Sequence, residues 1–66
     1  MSTIGKNIKR FRQDKGLSQD KLSKLADLSL NTVVKIELDE SPKPTIETIQ
    51  RIAKALGVSV DDLLKK

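Results

Sequence analysis

Signals for the start and end of helices recur along the whole chain, and this regularity limits the folds open to it. Ser or Thr precedes each run of helically spaced apolar residues, and Gly, Pro or Asp separates one run from the next. No stretch of comparable length alternates apolar and polar residues as a strand does. We therefore predict an all-α fold of five short helices in a single domain over residues 1–66.

The positions of these signals set the predicted helix boundaries. The first helix runs from Ile4 to Lys15 and stops at Gly16, and the third runs from Leu30 to Leu38. The second helix begins after Ser18, is about two turns long, and is separated from the third by a tight turn. The candidate N-caps are Thr3, Ser18, Ser29, Thr45 and Ser59.

The spacing of apolar residues predicts the inward side of each helix. The fourth helix has the most regular pattern and closes at Gly57, and it follows a Ser-Pro-Lys-Pro stretch at residues 41–44 that we interpret as a loop. Ser59 with Asp61 and Asp62 has the form of a capping box. The residues on the inward sides of the first four helices are Ile4, Ile8 and Phe11; Leu22, Leu25 and Ala26; Val33, Ile36 and Glu37; and Ile46, Ile49, Ile52, Ala53 and Leu56. The last helix bears Val60, Leu63 and Leu64.

Composition restricts the chemistry available to the chain. The sequence has no Cys and no His, which removes disulfides, thiolate metal sites and the commonest acid–base group. Asp61 with Asp62 is explained by capping, and neither this pair nor Asp39 with Glu40 has a companion nucleophile or Gly-rich loop. We therefore expect no enzyme activity, no metal, no cofactor and no small-molecule ligand.

The net charge of +4 is concentrated at one end of the chain. The whole excess lies in residues 1–16, whereas residues 17–38 and 39–66 are each neutral. This distribution suits a polyanion such as nucleic acid, but a solvated helix face has the same pattern. Because nothing near the N-terminus resembles a signal peptide and no segment is long enough to span a membrane, we expect a cytoplasmic protein.

Two short helices joined by a tight turn lie in the segment Leu17–Glu37, which reads LSQDKLSKLADLSLNTVVKIE. With PTIETIQRIAKALGVSVDDLL at residues 44–64, this segment resembles the Cro and cI-like phage repressors, also called the Xre family. The resemblance covers nearly the whole chain. It implies a lambda-repressor-like helix-turn-helix domain in a prokaryotic or phage-encoded, nucleoid-associated regulator of transcription, expected to be a repressor that binds duplex DNA.

The expected DNA contacts lie on the second and third helices and on the basic side of the first. Asn pairs with adenine, Lys donates to guanine, and aliphatic groups contact the thymine methyl, although an ordinary solvated surface is the alternative. The positions that match the family's base contacts are Leu30, Asn31, Thr32 and Lys35. The expected phosphate contacts are Ser18 and Gln19, which also suit simple capping, and Lys9, Arg10 and Lys43.

An ion pair is expected between the first and third helices. Glu37 lies on the core side of its helix, where an unpaired carboxylate is costly, and Arg12 lies one turn after Ile8 on the apolar side of the first helix. The family has a matching Arg–Glu pair, which fixes the recognition helix or simply holds the fold. Asp27 and Asp39 stand where the family often has Gly, so a left-handed backbone is expected at both.

Two features leave alternatives open. Leu30, Val34 and Leu38 form a stripe that either contacts thymine methyl groups or docks a protein. In the second case the chain is a protein-interaction module, such as an antitoxin-like or regulatory subunit. Symmetric operators favour a homodimer through the C-terminal helix, where Val60, Leu63 and Leu64 form the interface or close the monomer's core. In addition, the acidic Asp39 and Glu40 are expected to weaken phosphate binding.

Overall fold

Five α-helices make up the described part of the chain in a computed structural model, which covers residues 3–39 and 44–65. They are α1 (Thr3–Asp14), α2 (Gln19–Ala26), α3 (Leu30–Glu37), α4 (Ile46–Leu56) and α5 (Val60–Leu64). No strand occurs within these ranges. α1 packs against α3 and α5, and α2 packs against α3 and α4. The predicted all-α, five-helix fold is confirmed.

Side-chain caps explain where four of the helices begin. Ser18, Ser29 and Thr45 each accept a hydrogen bond from the backbone N–H three residues later, at 3.0, 3.1 and 3.1 Å. Ser59 accepts one from the Asp62 N–H, and the Asp62 carboxylate accepts one from the Ser59 N–H. This reciprocal arrangement is the predicted capping box.

Left-handed backbone lies at or just after the ends of α1, α2, α3 and α4, and Gly16 follows α1 with φ of 68°. Asp27 caps α2 with φ of 57° and Gly57 caps α4 with φ of 71°, and Asp39 follows α3 with φ of 61°. The expectation for Asp27 and Asp39 is therefore confirmed. The first helix is shifted by one residue from its predicted bounds, since it begins at Thr3 itself and ends at Asp14.

The core takes residues from all five helices: Ile8; Leu22 and Ala26; Val33 and Ile36; Ile49, Ile52, Ala53 and Leu56; and Leu63. The prediction that Leu25 is buried is wrong, because its side chain is 54% exposed while Ser23 is 3% exposed. The buried residues of α2 are Leu22, Ser23 and Ala26. At about 100° per residue, Leu25 lies about 110° round the helix from the centre of this buried face, so it points toward solvent. Ile46, the first residue of α4, is also exposed.

The structure separates the three apolar residues of α5. Leu63 is fully buried in the core, which agrees with the alternative that it closes the monomer's core and makes it unavailable to a dimer interface. Val60 is half-buried and packs against the core, whereas Leu64 is 47% exposed. Leu63 lies inward because α5 is only five residues long and needs a buried anchor against α1 and α4.

Some predictions fall outside the described residues. The loop predicted at residues 41–44 is described only at Pro44, and neither Glu40 nor Lys43 is included. None of the described helices is both long enough and apolar enough to cross a membrane.

Candidate nucleic-acid interface

A closed turn joins α2 to α3. The Asp27 N–H donates to the Lys24 carbonyl at 3.3 Å, and the Leu28 N–H donates to the Ser23 carbonyl at 2.8 Å, so the end of α2 is satisfied. Arg51 of α4 donates to the Asp27 carbonyl at 3.1 Å, and its guanidinium lies 3.6 Å from the Asp27 carboxylate. The turn is thus closed by its own backbone hydrogen bonds and is contacted by Arg51 of α4.

The side of α3 that faces away from the core combines polar and apolar groups. Asn31 and Lys35 are exposed, while Val33 and Ile36 on the opposite side are buried. Exposure of the flanking residues varies: Leu30 is 43% exposed and Leu38 60% exposed, whereas Thr32 and Val34 are half-buried. This side therefore presents an amide, an ammonium and aliphatic groups together.

The predicted base-contacting residues differ in whether their side-chain polar groups already form hydrogen bonds within the domain. The Thr32 hydroxyl lies 2.7 Å from the Ser29 hydroxyl, and the Thr32 N–H donates to the same Ser29 oxygen at 3.1 Å. Thr32 is therefore part of the α3 N-cap, and its methyl group is the part best suited to a base contact. Leu30, Asn31 and Lys35 have exposed side chains on the same helix.

A buried ion pair holds the end of α3 against α1. Arg12 Nε lies 2.7 Å from Glu37 Oε2, and Arg12 Nη2 donates to Glu37 Oε1 at 3.0 Å. Arg12 Nη1 also donates to the Leu17 carbonyl at 2.7 Å, ahead of α2. The side chains are 11% and 3% exposed for Arg12 and Glu37, so the two charges compensate each other away from water.

Gln19, the first residue of α2, joins this pair. Its Nε2 donates to Glu37 Oε1 at 3.2 Å, so the carboxylate of α3 links both α1 and α2. A side-chain amide has two N–H donors, and the second is not needed for this bond. Ser18, just before Gln19, uses its hydroxyl oxygen as a cap acceptor, which leaves the hydroxyl proton as a donor.

The basic residues predicted to contact phosphate are only partly described. Lys9 and Arg10 are exposed on α1, and the Arg10 guanidinium lies 5.3 Å from the centroid of the Phe11 ring. Lys43 lies outside the described residues. Near the start of α2, Asp20 forms an ion pair with Lys24 at 3.2 Å, which offsets its negative charge.

Two residues of α1 that were not singled out from the sequence make close contacts with other helices. A Cβ at Gly5 would lie 2.6 Å from the Ile36 carbonyl oxygen, so α1 and the end of α3 approach each other closely. Asn7 is 7% exposed, and its Nδ2 donates to the carbonyls of Leu63 and Lys65 at 2.8 and 2.6 Å. A glycine inside a predicted helix is the sequence signal for the close approach at Gly5. No local signal indicates the hydrogen bonds of Asn7.

Two short helices with a capped, closed turn, braced by a third helix, define the helix-turn-helix class of domain. The helix-turn-helix family model matches residues 8–63, and the chain belongs to this family. The resemblance to the Cro and cI-like, or Xre, regulators is thereby confirmed.

The chain is similar to several transcriptional regulators. It is 32% identical over 63 residues to the HTH-type transcriptional regulator SinR of Bacillus licheniformis, covering 96% of this chain and 57% of SinR. It is 34% identical over 62 residues to the immunity repressor protein of Bacillus phage phi105, covering 94% of this chain and 42% of the repressor. The chain thus spans about half the length of these curated relatives.

A solved structure agrees with the fold. The crystal structure of SinR, a master regulator for biofilm formation, in complex with DNA superposes on this chain with a TM-score of 0.90 at 32% identity. The match covers 94% of this chain and 98% of that one.

Proposed function

We propose that this chain is a non-enzymatic transcriptional repressor that binds duplex DNA, with α3 in the major groove. The observation that carries the proposal is the exposed side of α3, where Asn31 and Lys35 lie on a helix held at one end by the Ser29 cap and at the other by the Arg12–Glu37 pair. A rigidly held helix with exposed donors suits sequence recognition. Similarity to repressors and to the DNA-bound SinR structure supports it.

In this proposal, base and phosphate contacts come from different elements. Leu30, Asn31, Thr32 and Lys35 contact base edges, with Asn31 suited to adenine and Lys35 to guanine. The phosphate contacts come from the start of α2 and from basic side chains, namely Ser18, Gln19, Lys9, Arg10 and Lys43.

Gln19 is proposed to couple the DNA backbone to the orientation of α3. One hydrogen of its Nε2 serves Glu37 Oε1 at 3.2 Å, and the other serves a phosphate oxygen beside the N-terminus of α2. Because Glu37 is also held by Arg12, a phosphate bound at Gln19 is fixed relative to the base-contacting side of α3. The Arg12–Glu37 pair then sets the docking angle as well as stabilising the fold.

A homodimer fits this function, since paired half-sites one helical turn apart are bound by two copies of the domain. We propose that α5 contributes to the interface through the exposed Leu64 and the half-buried Val60, without Leu63. Such a regulator acts in the cytoplasm, at the nucleoid. Sedimentation that shows only monomer at high protein concentration contradicts the dimer.

The test begins with selection of bound duplexes from a random pool, followed by affinity measurements on the preferred sequence. Asn31→Ala and Lys35→Ala are each expected to weaken binding by about 5- to 150-fold and to relax the preference at one base pair, because a good side-chain pair contributes about 1–3 kcal/mol of discrimination. Lys54→Ala removes the same charge as Lys35→Ala from an exposed position of α4, and it is the matched control. If both α3 variants keep the wild-type preference, α3 does not recognise the bases.

A further inference from the structure

An apolar stripe runs along the exposed side of α3. It consists of Leu30, Val34 and Leu38, each four residues from the next, and spans about 12 Å of helix length. Leu30 and Leu38 are 43% and 60% exposed, and Val34 is half-buried. Three aliphatic groups on the outside of a small domain need an apolar partner to leave water.

Two members of the apolar stripe stand directly beside the donors of α3. Leu30 precedes Asn31, and Val34 precedes Lys35, so two apolar–polar pairs lie one helical turn apart. Recognition helices of this motif contact base edges mainly with their N-terminal residues. Leu38 is different, because it is the C-cap that follows the last turn of α3.

We propose that Leu30 and Val34 select thymine at two positions of each half-site by contact with the C5-methyl groups, and that Leu38 contacts no base. This inference rests on the proposed DNA binding and specifies the base composition that α3 requires. The thymine methyl is the one apolar group among the base edges of the major groove. An aliphatic side chain against any other edge leaves base donors or acceptors without partners, which is costly.

Charge decides between DNA and a protein groove as the partner of the stripe. Asn31 and Lys35 each follow a member of the stripe in sequence and lie on the adjoining side of the helix, so a partner broad enough to cover both sides also covers an amide and an ammonium. An apolar protein groove leaves this ammonium desolvated and unpaired, at a large cost. In the major groove, the same ammonium finds guanine acceptors and a negative potential, while the methyl groups meet the aliphatic side chains.

The experiment replaces each thymine of the selected duplex by deoxyuridine, one at a time. This change removes the methyl group and keeps every hydrogen-bonding group of the base. With wild-type protein, deoxyuridine at two positions of each half-site is expected to lower the affinity about fourfold per position, the value of one buried methyl group. Because this measurement uses the unmodified protein, it does not depend on the folding of any variant.

Variants then assign each thymine to a side chain. Leu30→Ala is expected to abolish the deoxyuridine effect at one position and Val34→Ala at the other, as a double-mutant cycle requires. Leu38→Ala is the matched control: it removes the most exposed member of the stripe and is expected to leave both effects unchanged. A thermal melt of each variant checks that it is folded.

Three results overturn the inference: selected half-sites without thymine, affinity that ignores deoxyuridine at every position, or a larger loss from Leu38→Ala than from the other two variants. The last result indicates a partner for the whole stripe instead of base contacts. Failure to bind any duplex contradicts the proposed DNA binding itself, whereas selective binding that ignores the methyl groups contradicts only the selection of thymine.

Discussion

Replacement of Arg12 by alanine tests the contact that joins α1 to α3. Arg12 and Glu37 are 11% and 3% exposed, so neither charge is well solvated. The substitution removes two bonds to Glu37 at 2.7 and 3.0 Å and one to the Leu17 carbonyl at 2.7 Å. The Glu37 carboxylate then retains the weaker bond from Gln19, at 3.2 Å.

The expected loss is large for a domain of this size. Removal of one partner from a buried ion pair costs about 3–5 kcal/mol, because an uncompensated charge remains buried. Native domains have about 0.05–0.15 kcal/mol of stability per residue, or roughly 3–10 kcal/mol for 66 residues. Arg12→Ala is therefore expected to lose about 3 kcal/mol or more, a major part of the free energy of unfolding.

Urea and thermal unfolding followed by circular dichroism measure this loss. At about 4–8 °C per kcal/mol, Tm should fall by about 12 °C or more. In the double variant Arg12→Met/Glu37→Met, apolar groups replace both charges, and most of the stability should return. The idea of a buried charge pair is refuted if Arg12→Ala melts like the wild type. It is also refuted if the double variant loses as much stability as the two single variants, Arg12→Met and Glu37→Met, lose together.

Three further predictions concern the elements around this contact. Gly5→Ala should destabilise by about 1–3 kcal/mol, because its Cβ would lie 2.6 Å from the Ile36 carbonyl oxygen; urea unfolding that shows the roughly 1 kcal/mol gain typical of Gly→Ala in a helix contradicts the close approach. Asn7→Ala should cost about 1–3 kcal/mol and speed amide exchange in α5, since two carbonyls lose their donor; unchanged exchange there contradicts this role. Hydrogen bonds from the Ser59 backbone and hydroxyl, with Lys65, hold the pKa of Asp62 below its usual value near 3.8. The stabilisation is therefore present above pH 3.8 and is lost as the pH falls below it, so Asp62→Asn should remove this component from an acid titration, and an unchanged titration contradicts it.

Most of the features that were predicted from the sequence and are seen in the structure are local ones, although the expected Arg12–Glu37 pair joins residues 25 positions apart. The caps at Ser29 and Thr45 and the left-handed turn at Asp27 each depend on residues within three or four positions of each other. Their physical causes are therefore visible in a short stretch of sequence. The expected position of Glu37 on the core side of α3 also follows from helical spacing, and its side chain is 3% exposed.

The features that were missed depend on distant parts of the chain. Asn7 bonds to residues more than fifty positions away, and Gln19 reaches Glu37 across the turn between α2 and α3. The exposure of Leu25 was missed for a related reason, because apolar residues lie on more than one side of the short helix α2 and the relative placement of the helices decides which side is covered. Contacts of this kind are set by tertiary structure rather than by local pattern.

The most direct test of the central claim, that this domain binds duplex DNA, is the salt dependence of its affinity for a selected duplex. Each phosphate neutralised by Lys or Arg contributes about −0.9 to the slope of log K against log[salt]. With Lys9, Arg10 and Lys43 on phosphates, we expect a slope of about −3 per protomer, reduced by about one in Lys9→Ala and unchanged in Lys54→Ala. Between 50 and 200 mM salt, proteins that bind phosphates lose affinity by orders of magnitude, roughly 10³-fold for six contacts. Duplex DNA binding is contradicted if the domain binds no duplex, or if its affinity does not change over this range of salt.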